Sequence, residues 1–235
     1  MIASLEATMQ PGSATPHSAH LAGYSFSDRL CCLSEPNSAR AEVFSTLRNH
    51  VLSAHLRLGR RSLAFCSATE NVGCSFTAAN LAVAISQAGV KTLLIDGNLR
   101  RPALHEYFQP EQDNVPGLLQ ALSGPDLPLS HFTQAEVLPN LSLLLAGGVD
   151  ESPQALLAGT RFRRLVDAAL RDFDLTLIDT PSADIGDDGR RTASLMRYTM
   201  VVLRREKSRL ADVRRLITSL NDSGAQVIGT FLNDF

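Results

Sequence analysis

Ser62-Leu63-Ala64-Phe65-Cys66-Ser67-Ala68-Thr69-Glu70-Asn71-Val72-Gly73-Cys74-Ser75, running on into the alanine-rich stretch up to Ala88, decides the fold. The opening residues form a short apolar run of strand character, and the closing ones begin a helical run of small residues. Between them, Gly73 and Ser75 stand in the register of the phosphate-binding loop G-x-x-x-x-G-K-[ST]. Such a loop works because successive backbone N–H groups and a helix N-terminus converge on phosphate oxygens. Two positions depart from the pattern: Ala68 stands at the first glycine and Cys74 at the lysine. The scaffold of a nucleotide site is legible here without the residue that most directly meets the β- and γ-phosphates.

Working outward, apolar runs recur at Lys91–Asp96, Leu141–Leu145, Asp174–Asp179, Thr199–Leu203 and Gln226–Leu232. Helical patterns lie near Ser75–Ala88, Pro153–Asp172, Asp187–Met196 and Arg209–Ser219, and another begins near Ala39. Strands such as Leu175-Thr176-Leu177-Ile178 are apolar almost throughout, which fits a parallel sheet covered on both faces. The alternation predicts an α/β, doubly wound, mostly parallel sheet with helices on both faces, P-loop NTPase-like. Ligands of such sheets sit beyond the carboxyl ends of the strands, where the Ala68–Ser75 loop falls. Residues 1–39, rich in Ser, Ala, Pro and His, read as a flexible tail, and 40–235 as the folded domain.

Two strands close on a carboxylate: Leu94-Ile95-Asp96 and Leu177-Ile178-Asp179. An aspartate after a buried strand and beside a phosphate loop can hold Mg²⁺ directly or through water, so Asp96, Asp179 and the Ser75 hydroxyl are the candidate metal and catalytic groups. Lys91 stands at the start of its strand, the wrong end of the sheet to replace the missing cation. Arg100 is placed to reach in.

Bulk composition excludes several classes. A formal net charge of −2 with 20% charged residues gives no global field for nucleic acid or anionic lipid. The four cysteines lack C-x-x-C or Cys/His metal spacing, which points to reduced thiols and a cytosolic setting. The N-terminus has no basic segment ahead of its apolar residues and does not read as a secretory signal. The uncharged run Val72–Val90 contains Ser75, Thr77, Asn80, Ser86 and Gln87 and reads as a buried helix, so no membrane insertion is expected. His50, His55 and His105 lack metal spacing. Cys74 at a helix N-terminus admits a redox reading, against which no resolving cysteine is identifiable.

A longer ordered series then becomes specific. After the loop come Ala78-Ala79-Asn80-Leu81-Ala82-Val83-Ala84, Leu94-Ile95-Asp96 with Leu99-Arg100-Arg101-Pro102, and Pro116-Gly117-Leu118-Leu119. Glu151-Ser152-Pro153-Gln154-Ala155-Leu156-Leu157, Arg161-Phe162-Arg163-Arg164-Leu165, Leu177-Ile178-Asp179-Thr180-Pro181 and Leu232-Asn233 complete it. Over roughly residues 38 to 235 the chain resembles the cytoplasmic domain of bacterial tyrosine kinases of capsule and exopolysaccharide synthesis, relatives of the MinD and ParA ATPases. The resemblance implies ATP with Mg²⁺ as cofactor, held by Gly73, Cys74, Ser75, Asn98, Arg100 and Asn233, with Asp96 and Asp179 as the catalytic and metal-binding carboxylates. It also implies a membrane-embedded polysaccharide copolymerase as partner, and self-association, which would place the chain at the cytoplasmic side of the inner membrane.

The departures from that family fall on its chemistry. Gly-Lys-Ser-Thr becomes Gly73-Cys74-Ser75-Phe76, and Asp-x-Asp becomes Asp96-Gly97-Asn98. A loop glycine becomes Asn71, a residue that tolerates positive φ. The oligomerisation motif Glu-x-x-Arg-x-x-Arg reads Glu42-x-x-Ser45-x-x-Arg48, and no tyrosine-rich tail follows Asn233-Asp234-Phe235. The expectation is a degenerate kinase domain, with Asp96 and Asp179 vestigial and ATP with Mg²⁺ bound weakly or not at all, acting as a regulatory or scaffold partner. The alternatives are an active kinase or ATPase with a replacement charge, and a MinD- or ParA-like positioning ATPase. The last lacks the additional early loop lysine and the membrane-seeking C-terminal helix of that group.

Overall fold

The computed structural model describes residues 23–112 and 114–234. In chain order its elements begin with β1 (Tyr24–Phe26), α1 (Cys31–Ser34), α2 (Ala39–Ala54), β2 (Ser62–Cys66), α3 (Cys74–Gln87) and β3 (Thr92–Asp96). There follow β4 (Phe108–Pro110), α4 (Leu118–Ser123), β5 (Gln134–Leu138), β6 (Leu141–Leu144), α5 (Gln154–Ala158) and α6 (Thr160–Asp172). The series closes with β7 (Leu175–Asp179), α7 (Asp188–Met196), β8 (Tyr198–Arg204), α8 (Leu210–Asp222) and β9 (Gln226–Asn233).

The main sheet has the order β5-β6-β3-β7-β2-β8-β9 and is parallel except for β5, which runs antiparallel to β6. From β2 the chain moves outward through β3 to β6, returns to β7, then crosses to β8 on the other side. The crevice at the end of β2 is therefore the switch point of the sheet. Alternation along β2 shows how the two faces are filled. Leu63 and Phe65 join the core shared with α2 and α3, whereas Ala64 and Cys66 join the core under α6, α7 and α8. Helices on both faces of a mostly parallel sheet are as the sequence predicts.

Two expectations need correction. The helical pattern over Pro153–Asp172 is interrupted at Gly159, whose extended backbone (φ −73°, ψ 158°) ends α5 and caps α6. The tail expected over 1–39 is also too long. Residues 1–22 lie outside the described residues, but β1 pairs with β4, and Leu30, Cys31 and Cys32 are buried in the core. α2 does begin where the sequence places it, because the Ser38 hydroxyl accepts the Ala41 N–H at 3.2 Å.

Candidate functional site

The loop between β2 and α3 closes with Asn71 at φ 55° and Gly73 at φ 87°, the latter capping α3. Asparagine meets the conformational demand that its side chain makes tolerable. The loop is fastened from the far end of the chain: Asn233 Nδ2 donates to Val72 O at 2.7 Å and lies 3.3 Å from Thr77 Oγ1. Asn233 thus holds the loop from behind and does not face the cavity in front of it.

That cavity, about 450 Å³, is lined by Gly73, Cys74 and Ser75 on the loop side, by Asn98 from the turn after β3, and by Arg29, Arg101 and Arg204 around it. Gly73 to Phe76, the cap and first turn of α3, border it, so the unpaired N–H groups that begin any helix are available to an anion there. Arg100 is not among the lining residues. Its Nε donates to Asp188 at 2.5 Å and its Nη1 to Glu151 O at 2.5 Å, which turns it away from the phosphate loop. Asn98 does line the cavity, and its Oδ1 accepts the Arg101 N–H at 3.1 Å, shaping the turn after β3.

Beneath the cavity, Asp96 and Asp179 end β3 and β7 in the same register, and the Gly97 N–H bonds Asp179 O at 2.9 Å. Asp179 Oδ2 accepts the Ser75 hydroxyl, while its buried Oδ1 has no hydrogen-bond partner. Burial first, and then the neighbouring Asp96 charge, push the Asp179 carboxyl up from 3.8 to about 7. Asp96 is held differently. Oδ1 accepts the Asn98 N–H at 3.2 Å, and Oδ2 accepts those of Ala103 and Leu104 at 3.0 Å. Burial raises it to about 6 despite those three bonds. These three bonds commit its oxygens to the turn, so a Mg²⁺ ion would meet Asp96 through water, the second of the two modes expected from the sequence.

The residues present fit Mg²⁺ with a nucleotide in part. Ser75 and the orphaned Asp179 Oδ1 would hold the cation, with phosphate oxygens supplying further ligands. Among the described residues no cluster of three or more His, Cys, Asp or Glu could hold a metal ion by itself. When bound, the nucleotide would supply a phosphoryl group and the metal would offset its charge. Cys74, at the lysine position, contributes no cation. Burial and the Asp179 charge push its thiol well above the ordinary range, which also removes the thiolate a redox switch would need. Cys66 is buried, with its thiol pushed up by burial in the same way. Lys91 lies just before β3, at the amino end of the sheet.

Sequence reasoning missed Arg29, Arg101 and Arg204 as lining residues. Arg101 pairs with Glu70, Arg29 with Glu106 at 3.1 Å and with the Tyr107 hydroxyl at 2.5 Å, and Arg204 Nη1 donates to Asn71 O at 3.3 Å. Arg204 closes β8 just as Asp96 and Asp179 close their strands, so the same positional rule would have found it. Arg29 falls in the stretch whose composition reads as a tail, and Arg101 stands beside Arg100, the arginine that the sequence singles out. Of the histidines, His55 is buried, with Nε2 2.9 Å from Ser62 O and its ring against Tyr198, a structural role.

No family model matches the chain. It is 32% identical over 198 residues to the putative tyrosine-protein kinase EpsB of Ralstonia nicotianae, covering 84% of this chain and 26% of that protein. It thus spans about a quarter of that relative's length. It is 29% identical over 199 residues to the putative tyrosine-protein kinase CapB of Staphylococcus aureus, covering 85% of this chain and 86% of the relative. Among solved structures, the kinase domain of the Escherichia coli tyrosine kinase ETK superposes with a TM-score of 0.80 at 25% identity, over 87% of this chain and 79% of the other.

Proposed function

Because this chain belongs to the bacterial tyrosine-kinase family, we propose that it is a regulatory or scaffold member of that family with impaired phosphoryl transfer. In this reading it serves exopolysaccharide biosynthesis and export from the cytoplasmic side of the inner membrane, docked on a membrane-embedded polysaccharide copolymerase. No helix among the described residues is long and apolar enough to cross a membrane. The pathway and partner come from the family resemblance.

The observation that carries the impairment is Cys74. A neutral thiol beside Asp179 stands where the family places a cation. A charge-assisted hydrogen bond contributes about 1.5–3 kcal/mol net, and phosphoryl transfer depends almost wholly on positioning and charge stabilisation. The helix N-terminus, Ser75 and Asp179 can still support weak nucleotide binding.

A second reading, an active kinase or ATPase, draws on Arg29, Arg101 and Arg204 around the cavity. Each already engages a protein acceptor, so recruiting one to a phosphate costs an existing bond. Calorimetry with Mg·ATP and Mg·ADP, with hydrolysis and tyrosine phosphorylation assayed in parallel, separates the two. The expected result is weak binding without turnover in the wild type, tightened about 10- to 100-fold in Cys74→Lys. Wild-type turnover that disappears in Asp179→Ala and in Arg204→Ala would overturn the proposal and establish the second reading.

A further inference from the structure

We propose that the groove between α6 and α7, remote from the nucleotide loop, docks an acidic segment of a partner protein with apolar side chains set among its carboxylates. The groove encloses about 1050 Å³ and reaches the amino ends of β2 and β8, at Ser62 and Tyr198. Arg60, Arg61, Arg163, Arg190, Arg191 and Arg197 line it, against Asp167 as the acidic residue of the lining. In a chain of formal net charge −2, this is a strong local concentration of one sign.

Two of these arginines are engaged: Arg190 pairs with Asp187 at 2.9 Å, and Arg60 lies 4.9 Å over the Tyr198 ring. Arg61, Arg163, Arg191 and Arg197 have no carboxylate within ion-pair reach among the described residues. Guanidinium forks are built for carboxylates and phosphates, so the charge excess specifies an anion.

The floor decides which anion. Half-buried Leu170 and Leu195 and exposed Leu58 present apolar surface to the groove, backed by buried Leu157, Val166 and Met196. Arg163, Val166, Asp167 and Leu170 share one face of α6, and Arg191, Ser194 and Leu195 one face of α7. Basic rims over an apolar floor match a peptide that presents both kinds of side chain. A bare oligophosphate would leave the floor unused. A nucleic acid would want a free aromatic face, but the Tyr198 ring is taken by Arg60 and, at 4.9 Å, by His55. The arginines line a concavity, which a flat lipid surface cannot enter. Arg190 and Ser223 also border an adjoining depression lined by Arg215 and Asp222.

The test is fluorescence anisotropy on the full chain with a labelled 14-residue peptide of glutamate pairs separated by leucines. Expected are saturable binding that persists with Mg·ATP present, a loss of at least 10-fold in Arg163→Glu/Arg191→Glu with unchanged thermal unfolding, and at least a 5-fold loss when serine replaces the leucines. Absence of saturable binding, or equal affinity of the double variant, overturns the proposal. So does equal affinity for the serine peptide, tripolyphosphate or a single-stranded oligonucleotide. Arginine-dependent sedimentation with phosphatidylglycerol vesicles without peptide binding would reassign the groove to a membrane.

Discussion

Asp96 and Asp179 sit opposite one another at the ends of β3 and β7, so ionising one raises the cost of ionising the other. With folded-state values near 6 and 7 against 3.8 in an exposed chain, the folded protein retains protons that the unfolded chain has released. The sign of the linkage follows: stability is greatest below about pH 4 as far as these two groups are concerned, and falls as pH rises towards 7. For Asp179 the loss is bounded at about 4 kcal/mol, since a tenfold change in proton affinity is worth about 1.4 kcal/mol. Urea midpoints measured from pH 5 to 8 are expected to fall in the wild type and to fall less in Asp179→Asn. An identical slope in the variant would show that Asp179 ionises normally. The same burial explains what the sequence left hidden at this scale. The strand-end position of Asp96 was readable, but three backbone N–H donors from the following turn claim its oxygens, and nothing in Leu94-Ile95-Asp96 announces them.

The phosphate loop belongs as much to β9 as to the strand and helix it joins. Asn233 ends β9 and binds Val72 O, so a distant strand fixes the loop's shape. Asn233→Ala removes the donor and leaves a buried carbonyl unpaired, an expected loss of about 1–3 kcal/mol in chemical unfolding. Asn233→Asp is expected to cost more, because it sets an acceptor against Val72 O, and both variants should weaken any nucleotide binding. Stabilities within about 0.5 kcal/mol of wild type would mean that the loop holds its own shape. Elements of this kind were legible where burial wrote a local pattern: β2, β3, β6, β7 and β8 are buried apolar runs, and α3 is the small-residue run that packs within the core. Elements without one were not. β1 and β4 are three residues each and exist through pairing across the chain. β5 carries a register shift and Glu136 at φ 49°, which erases alternation. Gly159 divides a continuous helical pattern by backbone conformation alone.

Across the whole molecule, the segment that precedes α2 is part of the machinery that holds α3 and hence the loop. Asn80, buried on α3, accepts the Cys31 thiol at 3.2 Å and the Cys32 N–H at 3.3 Å, and donates to Arg29 O at 3.1 Å. Arg29 in turn lies 4.5 Å over the Tyr107 ring, and β1 pairs with β4 beside it. Reading residues up to 39 as a tail followed from their polar composition, yet composition averages over Leu30-Cys31-Cys32, where the burial is concentrated. A chain beginning at residue 40 would uncover that patch and strip Asn80 Oδ1 of both its donors, leaving only the bond from Nδ2 to Phe76 O. Full burial of one large apolar side chain is worth about 1.5–3 kcal/mol, and an unpaired buried polar group costs about 1–3 kcal/mol. Against a chain beginning at residue 23, the shorter one is expected to lose several kcal/mol and to melt roughly 10 °C lower, at about 2–4 °C per kcal/mol for a domain of this size. Equal melting temperatures would show that the 23–39 segment rests on the domain without supporting it. If the shorter chain melts lower, nucleotide affinity should fall with it, because the freed face of α3 is the back of the helix whose first turn borders the cavity.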